Sequence, residues 1–221
     1  MKDGIKGVIF DLDGTLIDSM WIWSKVDDEL LLKYGCDIDT DYKNSIMSMT
    51  FHQGLEYIIK RYGLSKTVQE MADELIEMAY SEYAYNTRLK EGVREFLSEL
   101  KLRGVKLAMA TSSARRMCEA VLKNNAIHGF FEAVVYSDEV GKNKTNPDIY
   151  LKAAEAIGVE PSLCAVFEDV PFAISGIKAA GMKPIGVYDK YSAEYEEEMK
   201  RTYAEYIYEF NVKDIDRLLS K

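Results

Sequence analysis

The chain has few cysteines, no long apolar run and a deficit of positive charge, and each scarcity closes off a class of protein. Cys36, Cys118 and Cys164 lie far apart in the 221 residues and form no C-x-x-C pair. They support neither a disulfide framework nor a zinc knuckle, so a reducing compartment is expected. No stretch of about 18 apolar residues is present to cross a bilayer. Met1 to Lys6 holds nothing like the apolar part of a secretory leader, and the expectation is a cytoplasmic protein away from membranes. With 28 Lys and Arg against 37 Asp and Glu the net charge is −9, a field that repels nucleic acid and anionic surfaces. An anionic ligand therefore needs a local positive site. Internal repeats and low-complexity linkers are also missing, while 48% hydrophobic residues suffice for a sizeable core.

What is there begins at Gly7 to Phe10, an apolar run that stops abruptly at Asp11-Leu12-Asp13-Gly14-Thr15. A continuous apolar run ending in a polar turn predicts a fully buried parallel strand. Val105–Ala110, Ala133–Tyr136, Cys164–Phe167 and Pro184–Val187 repeat the pattern. Between them, Val93–Arg103, Ala114–Asn124, Pro147–Ile157 and Pro171–Ala180 carry helical periodicity, with Pro147 and Pro171 placed for a first helical turn. Alternating strand and helix predicts an α/β fold, a doubly wound parallel sheet. From about Ser19 to Asn86 the alternation stops. Met20–Tyr34, Phe51–Tyr62 and a long Thr67–Tyr85 read as helices. The expected organisation is an α/β core of residues 1–18 and 87–221 with a helical cap, 19–86, inserted after the first strand. The tail reads as a Glu- and Tyr-rich helix from Tyr191, an edge strand at Tyr206–Phe210 and a closing helix at Val212–Leu219.

In open parallel sheets ligands bind beyond the carboxyl ends of the strands. There the sequence places Asp11 and Asp13, then Thr111 and Ser112, then Lys144, then Glu168 and Asp169. Taken singly, each cluster reads as a turn, a helix cap or a solvated loop. Four polar clusters after four buried strands exceed what capping requires. Together they suit phosphoryl transfer: one carboxylate attacks, another handles the proton, hydroxyls and N–H groups hold the phosphate oxygens, and a lysine balances charge. Asp11, Asp13 and Asp169 around a phosphate dianion call for a hard divalent cation, for which Mg2+ with oxygen ligands is the natural choice.

At this point the sequence resembles the haloacid dehalogenase superfamily, in the branch with a helical cap after the first strand. Asp11-Leu12-Asp13-Gly14-Thr15-Leu16 is similar to its D-x-D-G-T motif, and Ala110-Thr111-Ser112-Ser113 to its threonine or serine motif. Lys144-Thr145-Asn146-Pro147-Asp148 resembles its K-P-x-P-D segment, with Thr145 where proline is usual. Val166-Phe167-Glu168-Asp169 resembles its acidic motif. The resemblance implies Asp11 as nucleophile, forming an aspartyl phosphate, and Asp13 as general acid and then base. It further implies Thr111 and Lys144 as catalytic partners, and Ser112, Gly14 and Leu12 as phosphate-binding positions. Mg2+ is expected on the Asp11 carboxylate, the Asp13 carbonyl, Asp169 and Glu168.

Dehalogenases and phosphonatases of the superfamily lack an aspartate at the position of Asp13, so the resemblance favours a phosphate ester. A mutase like beta-phosphoglucomutase keeps both aspartates but has a histidine twelve residues after the nucleophile, where this chain has Trp23, and cationic residues in the first cap loop. Here that loop reads Ile46-Met47-Ser48-Met49-Thr50-Phe51-His52, without lysine or arginine; His52 and Arg88 remain as cations that a different placement would bring in. The expectation is a magnesium-dependent phosphatase of a small phosphorylated metabolite, a monomer or alternatively a dimer, with the mutase as the second reading. A phospho-receiver or interaction module fits the inserted helices poorly. Trp21 and Trp23 read as core on a broad apolar stripe. Met47, Met49 and Phe51 stay open between core and a substrate entrance.

Overall fold

The computed structural model describes residues 4–36, 40–46 and 49–220. Six strands, β1 (Gly7–Phe10), β2 (Lys106–Thr111), β3 (Ala133–Tyr136), β4 (Cys164–Glu168), β5 (Lys183–Val187) and β6 (Glu205–Ile207), form one sheet in the order β3-β2-β1-β4-β5-β6. Every pair is parallel. This is the doubly wound sheet that the alternating pattern predicts, with the chain reversing direction of travel across the sheet beside β1. The tail contributes its strand as expected, although β6 is shorter than Tyr206–Phe210 and starts one residue earlier.

Side-chain alternation along β1 supplies both layers of core. Val8 and Phe10 face one side, with Leu107, Met109 and Phe167, against Phe96, Leu97 and Leu100 of α5 (Val93–Leu102) and Met117, Val121 and Leu122 of α6 (Arg115–Asn124). Ile9 faces the other side, with Ala108, Ala110 and Val166, against Tyr150 and Ala153 of α8 (Asp148–Ala156) and Ile177 of α9 (Ala173–Ala179). Burial on both faces is why these strands are apolar throughout. The short α7 (Ser137–Val140) follows β3, while α10 (Glu196–Thr202) and α11 (Ile215–Leu218) belong to the tail.

Among the described residues, four α-helices intervene between β1 and α5: α1 (Met20–Lys33), α2 (Thr40–Ile46), α3 (Phe51–Tyr62) and α4 (Val68–Ser81). Thr50 and Thr67 open α3 and α4 with reciprocal capping boxes to Gln53 and Glu70. The Glu74 carboxylate of α4 accepts from Lys33 (2.5 Å), Tyr34 (2.6 Å) and Lys66, tying it to α1. The helix expected over Thr67–Tyr85 ends at Ser81 and gives way to a π-turn, Glu82–Asn86. The two connections to the sheet run side by side: Ile17 bridges Leu89, and Asp18 N–H donates to Arg88 O at 3.0 Å. No helix among the described residues is long and apolar enough to cross a membrane.

Candidate active site

β1 ends at the mouth of a cleft, and its hydrogen-bond ladder runs one residue further, with Asp11 N–H donating to Phe167 O at 3.0 Å. This fixes Asp11 between β2 and β4, where its buried carboxylate meets Lys144. Lys144 bridges two acids, Asp11 and Glu168, the second at 2.6 Å, and its side chain is only 6% exposed. Glu168, the last residue of β4, also accepts from the Tyr150 hydroxyl at 3.5 Å. Asp169 follows and accepts from the Thr15 hydroxyl at 2.9 Å, so the first and fourth strand loops are stitched together.

The loop carrying Lys144 keeps its shape without the proline that usually follows such a lysine. The Asn143 carboxamide oxygen accepts from Thr145 Oγ1 at 2.5 Å and from Asn146 Nδ2 at 3.0 Å. Gly176 of α9 lies flat beneath, where a Cβ would collide with the carbonyls of Lys144 and Asn146. Gly14 is under a similar constraint. Its φ of +76° suits glycine alone, and a Cβ there would strike the Asp169 carboxylate.

Asp13 is held differently, by four donors. Its Oδ1 accepts from Ser19 Oγ (2.5 Å) and Trp23 Nε1 (3.1 Å), and its Oδ2 from Tyr83 Oη (3.0 Å) and Ser113 Oγ. Asp11, Asp13, Ser112, Ser113, Lys144, Glu168 and Asp169 line one side of a cleft of about 270 Å³. The inserted helices supply its other wall, which includes Trp23, Asp27, Met49, Phe51 and Leu55. Trp23, expected in the core, thus touches both core and cleft; Trp21 donates to Asp18 O at 3.1 Å instead. Met47 and Ser48 lie outside the described residues.

Three of the expected phosphate contacts sit behind this surface. Thr111 is fully buried and its hydroxyl accepts from Ser113 N–H at 3.0 Å. The Leu12 side chain is core, and Gly14 turns its carbonyl to Lys90. Of the cations held in reserve, His52 is paired with Asp138 at 2.6 Å and Arg88 lines a separate cavity near Tyr188 and Lys190. Among the described residues lining the cleft, Lys144 is the one cation.

Charge at the mouth is out of balance. Burial pushes the Asp11 carboxyl up to about 7, with Lys144 opposing and Glu168 and Asp13 reinforcing the push. Asp169 is raised well above the carboxylate range by burial and by Asp11 and Glu168. Burial disfavours the Lys144 ammonium, yet Asp11 and Glu168 outweigh it and hold its proton more tightly than usual. One oxygen from each of Asp11, Glu168 and Asp169 lies within 4.8 Å of the others. Three buried carboxylates against one lysine, all hard oxygen donors, form a set that fits a hard divalent cation.

Sequence reading missed Trp23, Tyr83, Ser113 and Ser19 as partners of Asp13. It also missed Lys90, which donates to Gly14 O and to Tyr188 O (2.7 Å) and pairs with buried Asp189 at 2.9 Å. A position directly after the inserted helices was the available signal for Lys90; the hydroxyls and the indole gave none.

Known proteins resemble this chain in sequence and in fold. Fructose-1-phosphate phosphatase of Escherichia coli is 30% identical over 85% of this chain and 98% of its own. Beta-phosphoglucomutase of Bacillus subtilis is 30% identical over 83% of each. The crystal structure of a beta-phosphoglucomutase from Clostridium difficile superposes over 97% of both chains with a TM-score of 0.81 at 23% identity, a likeness of fold. The model of the haloacid dehalogenase-like hydrolases spans residues 8–187, from within β1 to the end of β5, and the chain belongs to that family.

Proposed function

We propose that the chain is a phosphatase that hydrolyses a small phosphomonoester, of the sugar-phosphate kind on which the E. coli relative is named to act. The observation that carries this reading is the pairing of a buried, lysine-held Asp11 with a second acid, Asp13, at the mouth of one cleft. In this reading the Asp11 carboxylate attacks phosphorus and the ester oxygen departs, taking a proton from Asp13. The aspartyl phosphate is then opened by water, which gives its proton back to Asp13. Lys144 steers the Asp11 carboxylate and offsets phosphate charge, while Ser112 and the N–H groups ahead of α6 hold phosphate oxygens. Thr111 supports them by fixing the Ser113 N–H.

Asp11, Asp169 and Glu168, with the Asp13 carbonyl, would hold Mg2+. When bound, it supplies charge neutralisation for the phosphoryl group. The helices from 19 to 86 serve as a cap over the core of 1–18 and 87–221, excluding bulk water when seated.

A mutase reading draws on the Bacillus subtilis relative. Against it stands the cleft wall, whose described residues on the helical side include Asp27 but no cation to hold a second phosphate. The test is phosphate release from a panel including fructose 1-phosphate, glucose 6-phosphate and beta-glucose 1-phosphate with and without the 1,6-bisphosphate, in Mg2+ and in EDTA. Magnesium-dependent release of phosphate is expected. Bisphosphate-stimulated formation of glucose 6-phosphate without net release would establish the mutase instead.

A further inference from the structure

A second cation, Lys90, stands close to the acidic mouth without lining the cleft. It follows the inserted helices in sequence and belongs to the core, and an ammonium has three donors to place. All three find protein acceptors: Gly14 O, Tyr188 O at 2.7 Å and Asp189 Oδ2 at 2.9 Å. Asp189 is buried and is itself held, its Oδ1 accepting from Tyr191 N–H at 2.9 Å. The pair is thus anchored on the loop after β5 and reaches across to the turn after β1.

That turn has little to fix it from within, because a glycine backbone moves between conformations more freely than any other. Two contacts hold the peptides on either side of Gly14. Its N–H donates to Ile17 O at 3.1 Å. The N–H and C=O of a trans peptide point opposite ways, so this bond sets the direction of the Asp13 carbonyl. The next peptide is held at Gly14 O by the Lys90 ammonium, while the Lys90 backbone N–H donates to Leu16 O at 2.9 Å. One residue therefore grips the turn at two points, and these bonds run within the core. Gly14 also lies against the Asp169 carboxylate, close enough that a Cβ would collide with it. Burial, Asp11 and Glu168 push the Asp169 carboxyl up; Lys90 opposes them and Asp189 adds to the push, so both charges of the pair reach Asp169.

We propose that Lys90, anchored by Asp189, is a positioning residue for the metal site. It holds the Asp13–Gly14 turn so that the Asp13 carbonyl and the Asp169 carboxylate stay together, and for a bound Mg2+ this outweighs the repulsion between two cations. The proposal rests on the Mg2+ ligands named above.

Positioning and charge predict opposite signs. As a charge alone, Lys90 repels a divalent cation, and its removal should tighten binding; as a support of the turn, its removal should loosen it. Lys90→Met combined with Asp189→Asn removes one charge of each sign, which keeps the local net charge and spares a buried acid from standing unpaired. Calorimetric titration of the metal-stripped, substrate-free protein with Mg2+ alone reads Kd. The double variant is expected to bind about 10–100-fold more weakly than wild type, the loss usual when a support of a metal ligand is removed. Amide exchange in the metal-free protein should be faster over residues 14–17 and unchanged in β1. Binding within about threefold of wild type, or weaker binding without faster exchange at 14–17, overturns the proposal. Should the double variant fail to melt cooperatively, Lys90→Met alone is read by sign: weaker binding supports the proposal, and equal or tighter binding overturns it. If the wild-type protein takes up no Mg2+, the metal assignment itself falls, and the proposal with it.

Discussion

Replacing Lys144 by methionine tests whether the site is organised by charge balance. Methionine has a similar reach, so the change deletes the ammonium with little change in volume. It leaves Asp11 and Glu168, whose side chains are 7% and 0% exposed, without their shared counter-charge and beside Asp169. Removing one partner of a buried ion pair costs about 3–5 kcal/mol, against a total stability of roughly 5–15 kcal/mol. For a chain of this size that lowers the melting temperature by roughly 10 °C. Asp11→Asn makes the opposite prediction. It removes one of three crowded carboxyls, keeps Lys144 paired with Glu168, and should melt at or above the wild type in EDTA while losing turnover. Thermal unfolding followed by circular dichroism in EDTA near neutral pH measures both. A Lys144→Met melt within about 1 °C of wild type, or an Asp11→Asn melt several degrees lower, would refute the argument.

The raised Asp11 and Asp169 carboxyls set a pH dependence without metal. Between about 4 and 7 the folded chain binds more protons than the unfolded one, so stability in EDTA should fall as pH rises through that window. Urea midpoints against pH measure it; a rising midpoint would contradict the assignment, and excess Mg2+ should reverse the fall. Gly14→Ala combines a strained φ, at about 1–2 kcal/mol, with a collision on Asp169, whereas Gly35→Ala at φ +68° has open space. Both should melt a few degrees lower, but only Gly14→Ala should raise the Mg2+ needed for half-maximal phosphate release. Burial pushes the Glu74 carboxyl up, yet bonds from Lys33, Lys66 and Tyr34 hold it down to about 2. Glu74→Gln should therefore speed amide exchange in α1 and α4 at neutral pH, and that difference from wild type should vanish as pH falls from about 4 toward 2.

The sheet and the acidic mouth were legible because burial on both faces leaves an unbroken apolar run, and because polar residues interrupt it where the strand ends. Asp11, Glu168 and Asp169 stand directly after such runs, and Lys144 opens a turn ahead of α8. Trp23 and Tyr83 were not legible as partners of Asp13. Helical periodicity registers an aromatic ring as apolar surface and is blind to the direction of its N–H or O–H. The break after Ser81 carries no proline or glycine to announce it; the contact between Tyr83 and Asp13 accompanies it in place of any local signal. Thr111 illustrates a different gap. Its place at the end of β2 was clear, but its hydroxyl turns back to Ser113 N–H and leaves the cleft surface to Ser112 and Ser113.

β1 lies between β2 and β4, and the hydrogen bond from Thr15 to Asp169 closes a loop of 154 residues. A ribosome adding about 5–20 residues per second needs roughly ten to thirty seconds to deliver that partner. Through this interval Val8, Ile9 and Phe10 have emerged without one of their two neighbouring strands, an apolar segment of the kind that aggregates. Asp11 and Asp13 directly follow it, and charge at the border of such a segment discourages pairing with other chains. The same two carboxylates thus guard the nascent strand before there is any site for them to serve.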